Sequence, residues 1–389
     1  MPAHRPRILR VLSAALALAA IAFVVSVVPV RDLCWDDRSP HATRTTVSRV
    51  AEGCVLHIPS GDVFLDAREC ARLRCEPGLV SAFGHVRLDV LAWLVVLYAA
   101  GTLAWAARWR ALLRLAGIPL SLLQVWRVSI EAQAGGILLP GGIGGDALRI
   151  AWVLRSAKQA GIESPTAIVI ASALLDRFVG LAVIAALAAT LGFASGGLHA
   201  GPLAVVLAAI PVALAGGLAA LRWIPLTRVP SLRKGRVGAL VGPVLRYLRA
   251  PNASRALAIA TALSVGVAGV QFATIRGLVF AFGAPVTAEK WVYVGTAMAF
   301  IVGAIPALPG AWGTADAAYV FFLGLAGLSA GTALGVSLFY RLFWYLSAML
   351  GALLFVLRSP EGSPIDEGGA SRSPSSSPVE SSSQPEPRA

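Results

Sequence analysis

GGILLPGGIGGDALRI, residues 135–150, sets six glycines, a proline, an aspartate and an arginine inside otherwise apolar sequence. Glycine and proline break helices, and a charge in lipid is costly. Irregular backbone at bilayer depth is tolerated only where protein or a water-filled cavity surrounds it. The stretch therefore reads as a broken segment lining a cavity.

The rest of the chain supplies the bilayer. Of 389 residues, 57 % are hydrophobic and 14 % charged, with a mean hydropathy of +0.74. That balance excludes a soluble globule and fits a polytopic helix bundle. The net charge of +13 is densest from Arg222 to Arg255, where eight basic and no acidic residues lie between two apolar runs. This is the positive-inside signature of a cytoplasmic loop, not the footprint of nucleic-acid binding.

Topology follows from the apolar runs and the arginines beside them. The run 11–30 comes after His4, Arg5, Arg7 and Arg10, so the N-terminus is expected in the cytoplasm with 1–30 as a retained anchor. A second span, 88–107, returns the chain to Arg108, Arg110 and Arg114. Further spans are expected from Pro165 (Ser164 as N-cap) to about 193, at 202–221, at 256–282 and at 334–357. The whole is an all-α membrane domain over 88–358, with about six full spans plus two glycine-broken segments. Residues 359–389, rich in Ser, Pro and Glu, are expected to form a disordered cytoplasmic tail.

All four cysteines, Cys34, Cys54, Cys70 and Cys75, fall in the polar segment 31–87. An even number confined to one loop implies two disulfides and an extracytoplasmic location, with three pairings open. Zinc is the alternative, but no CxxC spacing supports it.

Arg114 and Arg155 both read as cytoplasmic, so the quoted stretch belongs to a segment that enters and leaves on one side. It forms either two full spans or a re-entrant hairpin. Its pattern, Leu139-Pro140-Gly141, Gly144 and Asp146-Ala147, recurs as Leu308-Pro309-Gly310, Gly313 and Asp316-Ala317. An arginine in an apolar span follows each, Arg177 and Arg341. Three spans separate the copies, so they enter from opposite faces. Broken segments in inverted halves point to a transporter's substrate site near the midplane.

The charges sharpen that site. Asp176 and Arg177 lie roughly 17 Å along their helix from Pro165 at about 1.5 Å per residue. Neighbours on a helix point about 100° apart, so each looks for a partner elsewhere: Arg149, Asp146 or Glu131. Asp146 is expected to cap the half-helix that Arg149 continues. An arginine beside a helix N-terminus and glycine N–H groups at Gly141, Gly144 and Gly145 suits a phosphate. Arg127 and Glu131, four apart, can satisfy each other, and Arg276 is expected to snorkel from a span end.

The motif LPGGIGGDALR, the downstream LLDRFVG (174–180) and the later LPG-x-x-G with Asp316 resemble the lysylphosphatidylglycerol synthase transmembrane-region family, also called flippase-like membrane proteins. The resemblance covers roughly 90–357. At the position of Asp316 the family more often carries Glu. It implies an inner (plasma) membrane protein that moves aminoacyl or glycosyl phospholipids or polyprenyl-linked intermediates, with no metal or cofactor. The soluble aminoacyl-transferase domain of the two-domain synthases is not expected here, so a separate lipid-modifying enzyme is a candidate partner.

The leading expectation is a translocase for an anionic lipid, with Arg149 and Arg177 against phosphate, Asp146 and Asp176 positioning those arginines or reading a cationic substituent, and Asp316 and Arg341 as further substrate-binding candidates. No GxxxxGK[ST] motif is present, so transport would be passive or coupled to a gradient through a carboxylate such as Asp176. One rival is a membrane glycosyltransferase using Trp35-Asp36-Asp37. Another is a non-transporting partner of a transferase, docked through the cysteine loop.

Overall fold

In a computed structural model the chain is described over residues 18–19, 21–35, 45–50, 53–58, 61–84, 86–138, 143–195, 202–223, 243–304 and 312–357. Nine principal helices build the bundle: α1 (Leu88–Leu115), α2 (Leu122–Leu138), α3 (Ile143–Gln159), α4 (Pro165–Ala194), α5 (Pro202–Trp223), α6 (Ala253–Ala281), α7 (Glu289–Gly303), α8 (Thr314–Leu325) and α9 (Ala330–Val356). Five of them, α1, α4, α5, α6 and α9, are long and apolar enough to cross a bilayer. They correspond to five of the six expected spans. The remaining run, 11–30, is described only in part, with helix over 21–27, and the tail 359–389 lies outside the described residues.

Helix ends follow local chemistry. α1 stops where Gly117 takes a φ of +77°, and Ile118 N–H reaches back to the Leu113 carbonyl at 3.1 Å. A residue with a Cβ disfavours that backbone, so glycine terminates the helix. α4 begins at Pro165, whose missing N–H is no loss in a first turn. Ser164 precedes it as expected, but in a left-handed conformation (φ 56°) with no side-chain cap bond. The proline dictates that entry, not the hydroxyl.

α2–α3 and α7–α8 are the two broken segments. At about 1.5 Å per residue, 17-residue α2 and α3 reach roughly 25 Å and 12-residue α8 roughly 18 Å, short of a bilayer core of about 30 Å. The base of the first hairpin closes through Ile118, Val125, Val153 and Ala157, packed in one cluster with Ile162. The second closes where the backbone N–H and hydroxyl of Thr287 both donate to the Ala326 carbonyl, at 2.9 and 3.0 Å. α1 runs between these bases. Its start is tied to the end of α6 by Arg87 N–H to the Ala281 carbonyl (2.9 Å), and its end leads into the first base. The two hairpin bases therefore lie at opposite ends of α1. The tips, 139–142 and 305–311, lie outside the described residues, and Gly141 with them.

The first hairpin closes tightly because of glycine. A Cβ on Gly145 would stand 2.8 Å from the Ala132 carbonyl oxygen, so any side chain there pushes α3 off α2.

The cysteine segment is not a plain loop. It folds into a five-stranded antiparallel sheet in the order β4-β3-β2-β1-β5, where β1 is Leu33–Trp35, β2 Thr45–Val50, β3 Gly53–Ile58, β4 Gly61–Asp66 and β5 Arg74–Glu76. Cys34–Cys75 joins β1 to β5 at facing positions, and Cys54–Cys70 fixes a short helix, Ala67–Cys70, against β3. Among the described residues the buried hydrophobic core of this unit is Cys34, Val47 and Cys54, too small to hold a sheet without covalent staples. It docks on the bundle beside the second hairpin base: Ser329 Oγ donates to the Pro77 carbonyl at 3.0 Å, and Phe83 packs on Phe282 and Phe339.

Two outcomes check this fold. With the native disulfides intact, a cysteine at Leu120 and one at Thr287 should label with a membrane-impermeant maleimide from opposite sides of oriented vesicles. Replacing Cys34 by serine should expose one new thiol, identified by peptide mapping as Cys75.

Candidate functional site

The two hairpins and the long helices enclose a cavity of about 440 Å³. Its walls carry Arg108 from α1, Gly145, Asp146 and Arg149 from α3, Asp176 and Arg177 from α4, and Arg341 from α9. Aromatic rings of Tyr98, Trp105, Phe300, Tyr340 and Trp344 fill much of the remaining wall.

Asp176 is completely buried and lies at the centre of the charge network. Arg108 Nε and Nη2 donate to its two oxygens at 2.7 and 3.1 Å, a forked pair. Arg149 approaches one of those oxygens at 3.4 Å and forms an ion pair with Asp146 through Nε at 2.9 Å. Arg149 is itself only 2 % exposed, so it is no headgroup snorkel. Its guanidinium lies over Trp109 at 4.5 Å and Trp105 at 5.4 Å, where the ring faces offset part of the loss of water. Trp109 in turn donates its indole N–H to Ser172 Oγ at 3.3 Å.

The other oxygen of Asp146 pairs with Arg177, whose side chain is 39 % exposed. Asp146 thus bridges a buried arginine and an accessible one. It does not cap α3 as expected, because the helix begins at Ile143 and leaves Asp146 within the first turn, turned to the arginines. Gly144 sits in that same turn.

The second hairpin contributes a more closed unit. Asp316, 3 % exposed, accepts from Gly313 N–H at 2.9 Å, from Ser337 Oγ at 2.6 Å and from Arg341 Nη2 at 2.8 Å. Arg341 lies 4.2 Å from the Trp312 ring centroid. Both halves therefore set an aspartate near the start of a short helix and pair it with an arginine, backed by tryptophan. Around the cavity, Arg108, Arg149, Arg177 and Arg341 face Asp146, Asp176 and Asp316, an excess of one positive charge.

Sequence reading missed Arg108. It was expected at the cytoplasmic edge because twenty residues from Leu88 suffice to cross. Instead α1 continues to Leu115 and keeps Arg108 6 % exposed. The signal lay in Trp105-x-x-Arg108-Trp109, an arginine flanked by two rings one turn apart. Arg127 and Glu131 do pair, at 2.8 Å. Arg276 bonds Glu289 at the start of α7, at 2.9 Å, in place of the expected snorkelling. Asp36 and Asp37 lie outside the described residues. Among the described residues no cluster of three or more His, Cys, Asp or Glu could hold a metal ion.

A family model described as lysylphosphatidylglycerol synthase TM region matches residues 78–351. The chain belongs to that family. The match begins beside the short helix Leu79–Gly84 and runs through the bundle into α9, so the charge network lies inside the family region and the five-stranded sheet lies before it. No curated protein and no solved structure matches the chain.

Asp176→Ala should strand buried Arg108 without a counter-charge, leave Arg149 with Asp146 alone, and destabilise the fold by about 3–5 kcal/mol. Arg177→Ala leaves Asp146 paired to Arg149 and should cost less than about 1 kcal/mol. Thermal unfolding of the purified variants in detergent separates the two.

Proposed function

We propose that this member of the family is a translocase for an anionic lipid, whose cavity receives the phosphate of a phospholipid or polyprenyl-phosphate headgroup. The observation that carries the proposal is the shared carboxylate of Asp146, held at once by buried Arg149 and accessible Arg177. Arg177 has no other acidic partner among the described residues. A phosphate oxygen arriving in the cavity can replace Asp146 at its guanidinium, and Asp146 then stays with Arg149. Such an exchange leaves no bare charge at any stage, which suits a group passing through a low-dielectric region.

Binding must also be weak enough to release. Asp176 and Asp316 keep Arg108, Arg149 and Arg341 largely neutralised, so the headgroup meets a small net positive charge. The two hairpins close from opposite faces, and a site between them can open to either side by rocking one against the other. The acyl or prenyl chains stay among membrane lipids while the headgroup crosses. The chain's motifs offer no nucleotide site, so movement is passive or coupled to an ion or proton gradient.

The test is headgroup movement in proteoliposomes with tail-labelled phosphatidylglycerol, read by dithionite quenching. Arg177→Ala removes one charge-assisted contact of about 1.5–3 kcal/mol and should slow movement on the order of tenfold or more. Asp36→Ala with Asp37→Ala should leave the rate unchanged. No movement above empty liposomes, for this lipid or a labelled polyprenyl phosphate, with and without a proton gradient, would reject the proposal.

A further inference from the structure

The cystine-stapled sheet lies before the family region, and the chain leaving it meets the bundle at the first turn of α9. The segments entering and leaving the sheet, 29–32 and 77–80, are zipped together. Leu79 N–H donates to the Pro29 carbonyl at 3.0 Å and Val80 N–H to the Val30 carbonyl at 3.2 Å. Gly78 N–H donates to Asp32 Oδ1 at 2.9 Å, and the Cys34–Cys75 bond closes the same pair covalently just beyond. The two connections therefore act as one double strap.

α9 is seated directly on this strap. A Cβ on Gly331 would stand 2.7 Å from the Gly78 carbonyl carbon and 2.8 Å from the Leu79 nitrogen, so backbone touches backbone. Ser329 works in both directions. Its hydroxyl oxygen accepts from Thr332 N–H at 3.2 Å, capping α9, and donates its proton to the Pro77 carbonyl at 3.0 Å.

This seam sits at the joint of the second hairpin. Thr287 and Ala326 close the hairpin base, and Ser329 follows just after it. Ser337 and Arg341 lie further along α9, roughly 12 and 18 Å from Ser329 at about 1.5 Å per residue. Both hold Asp316 of α8, which in turn accepts from Gly313 N–H at 2.9 Å. A tilt of α8 and α9 about their base must carry residues 326–332 with it, and those residues rest on a block stapled by cystines. Packed seams of this kind are seated or parted and do not stretch continuously.

We propose that the cystine sheet is a clamp on the second hairpin. The seam between Pro77–Leu79 and Ser329–Gly331 must part before the cavity opens at the end of the bundle that carries the sheet. The inference rests on the translocase reading for the motion itself, but its own claim concerns what restrains that motion.

Hydrogen exchange of the purified full chain in lipid nanodiscs tests the clamp, read at the peptide that contains Gly313, away from the seam. Ser329→Asp keeps an acceptor for the α9 cap and removes the donor to Pro77, setting carboxylate against carbonyl. It should raise exchange at Gly313 about fivefold, as expected for one neutral hydrogen bond. Ser329→Thr keeps both bonds and should match the native rate. Gly331→Leu forces the two backbones apart and should raise exchange on the order of tenfold or more. Ser329→Asp carries the comparison should Gly331→Leu fail to fold. Unchanged exchange at Gly313 in both variants, with any rise confined to 29–35 and 74–84, overturns the clamp. A rise shared evenly by α4 and α6 reports loss of the fold and overturns it as well. Raised exchange at Gly313 without lipid movement in proteoliposomes supports the clamp and rejects the translocase; lipid movement with Gly313 unaffected in both variants does the reverse.

Discussion

One carboxylate ties the inner half of the bundle together. Asp176 of α4 receives Arg108 from α1 and Arg149 from α3, so three helices from separate parts of the sequence meet at two oxygens. In a bilayer there is little hydrophobic gain in pressing helix on helix, and association depends on close packing and on polar groups with nowhere else to go. Each of the three charges is too deep to reach water alone, and each excludes arrangements that would separate it from the others. The pair is weak as a source of net stability, but it fixes which faces meet. Glycine does the rest, as at Gly145, where the backbones of α2 and α3 touch.

The two hairpins solve the same problem differently. Around the second, Asp316 is saturated by a backbone N–H, a serine and Arg341, and little is left for a visitor. Around the first, two aspartates are divided among three arginines, one of them partly open to the cavity. In the proposed translocase, this asymmetry makes the first hairpin the half that meets the headgroup and the second the half that braces. Similar sequence patterns thus carry unequal electrostatic loads.

Much of the bundle was legible because bilayer thickness sets helix length, and because arginines at Arg114 and Arg155 force the intervening chain back to one face. Arg149, Asp176 and Arg341 stood out because charge in apolar sequence demands a reason. Arg108 was hidden by the same logic: a helix of 28 residues is longer than a bilayer requires, and hydropathy cannot say which end is surplus. Asp146 was mistaken for a cap because a glycine run gives no sharp helix start. The sheet escaped notice because its strands are three to six residues long and its core is chiefly cystine, so periodicity had little to register.

The shortness of the hairpins also constrains how the protein is made. α3 carries Asp146, Arg149, Arg155 and Lys158 within 17 residues. Such a segment has no favourable path into lipid by itself, because its charges would face hydrocarbon. During synthesis it emerges before α4, the helix that supplies Asp176 for Arg149. It must therefore wait at the membrane surface or in the insertion machinery until α4 arrives. Assembly of the charged centre is a late event, set by the order in which the ribosome delivers its counter-ions.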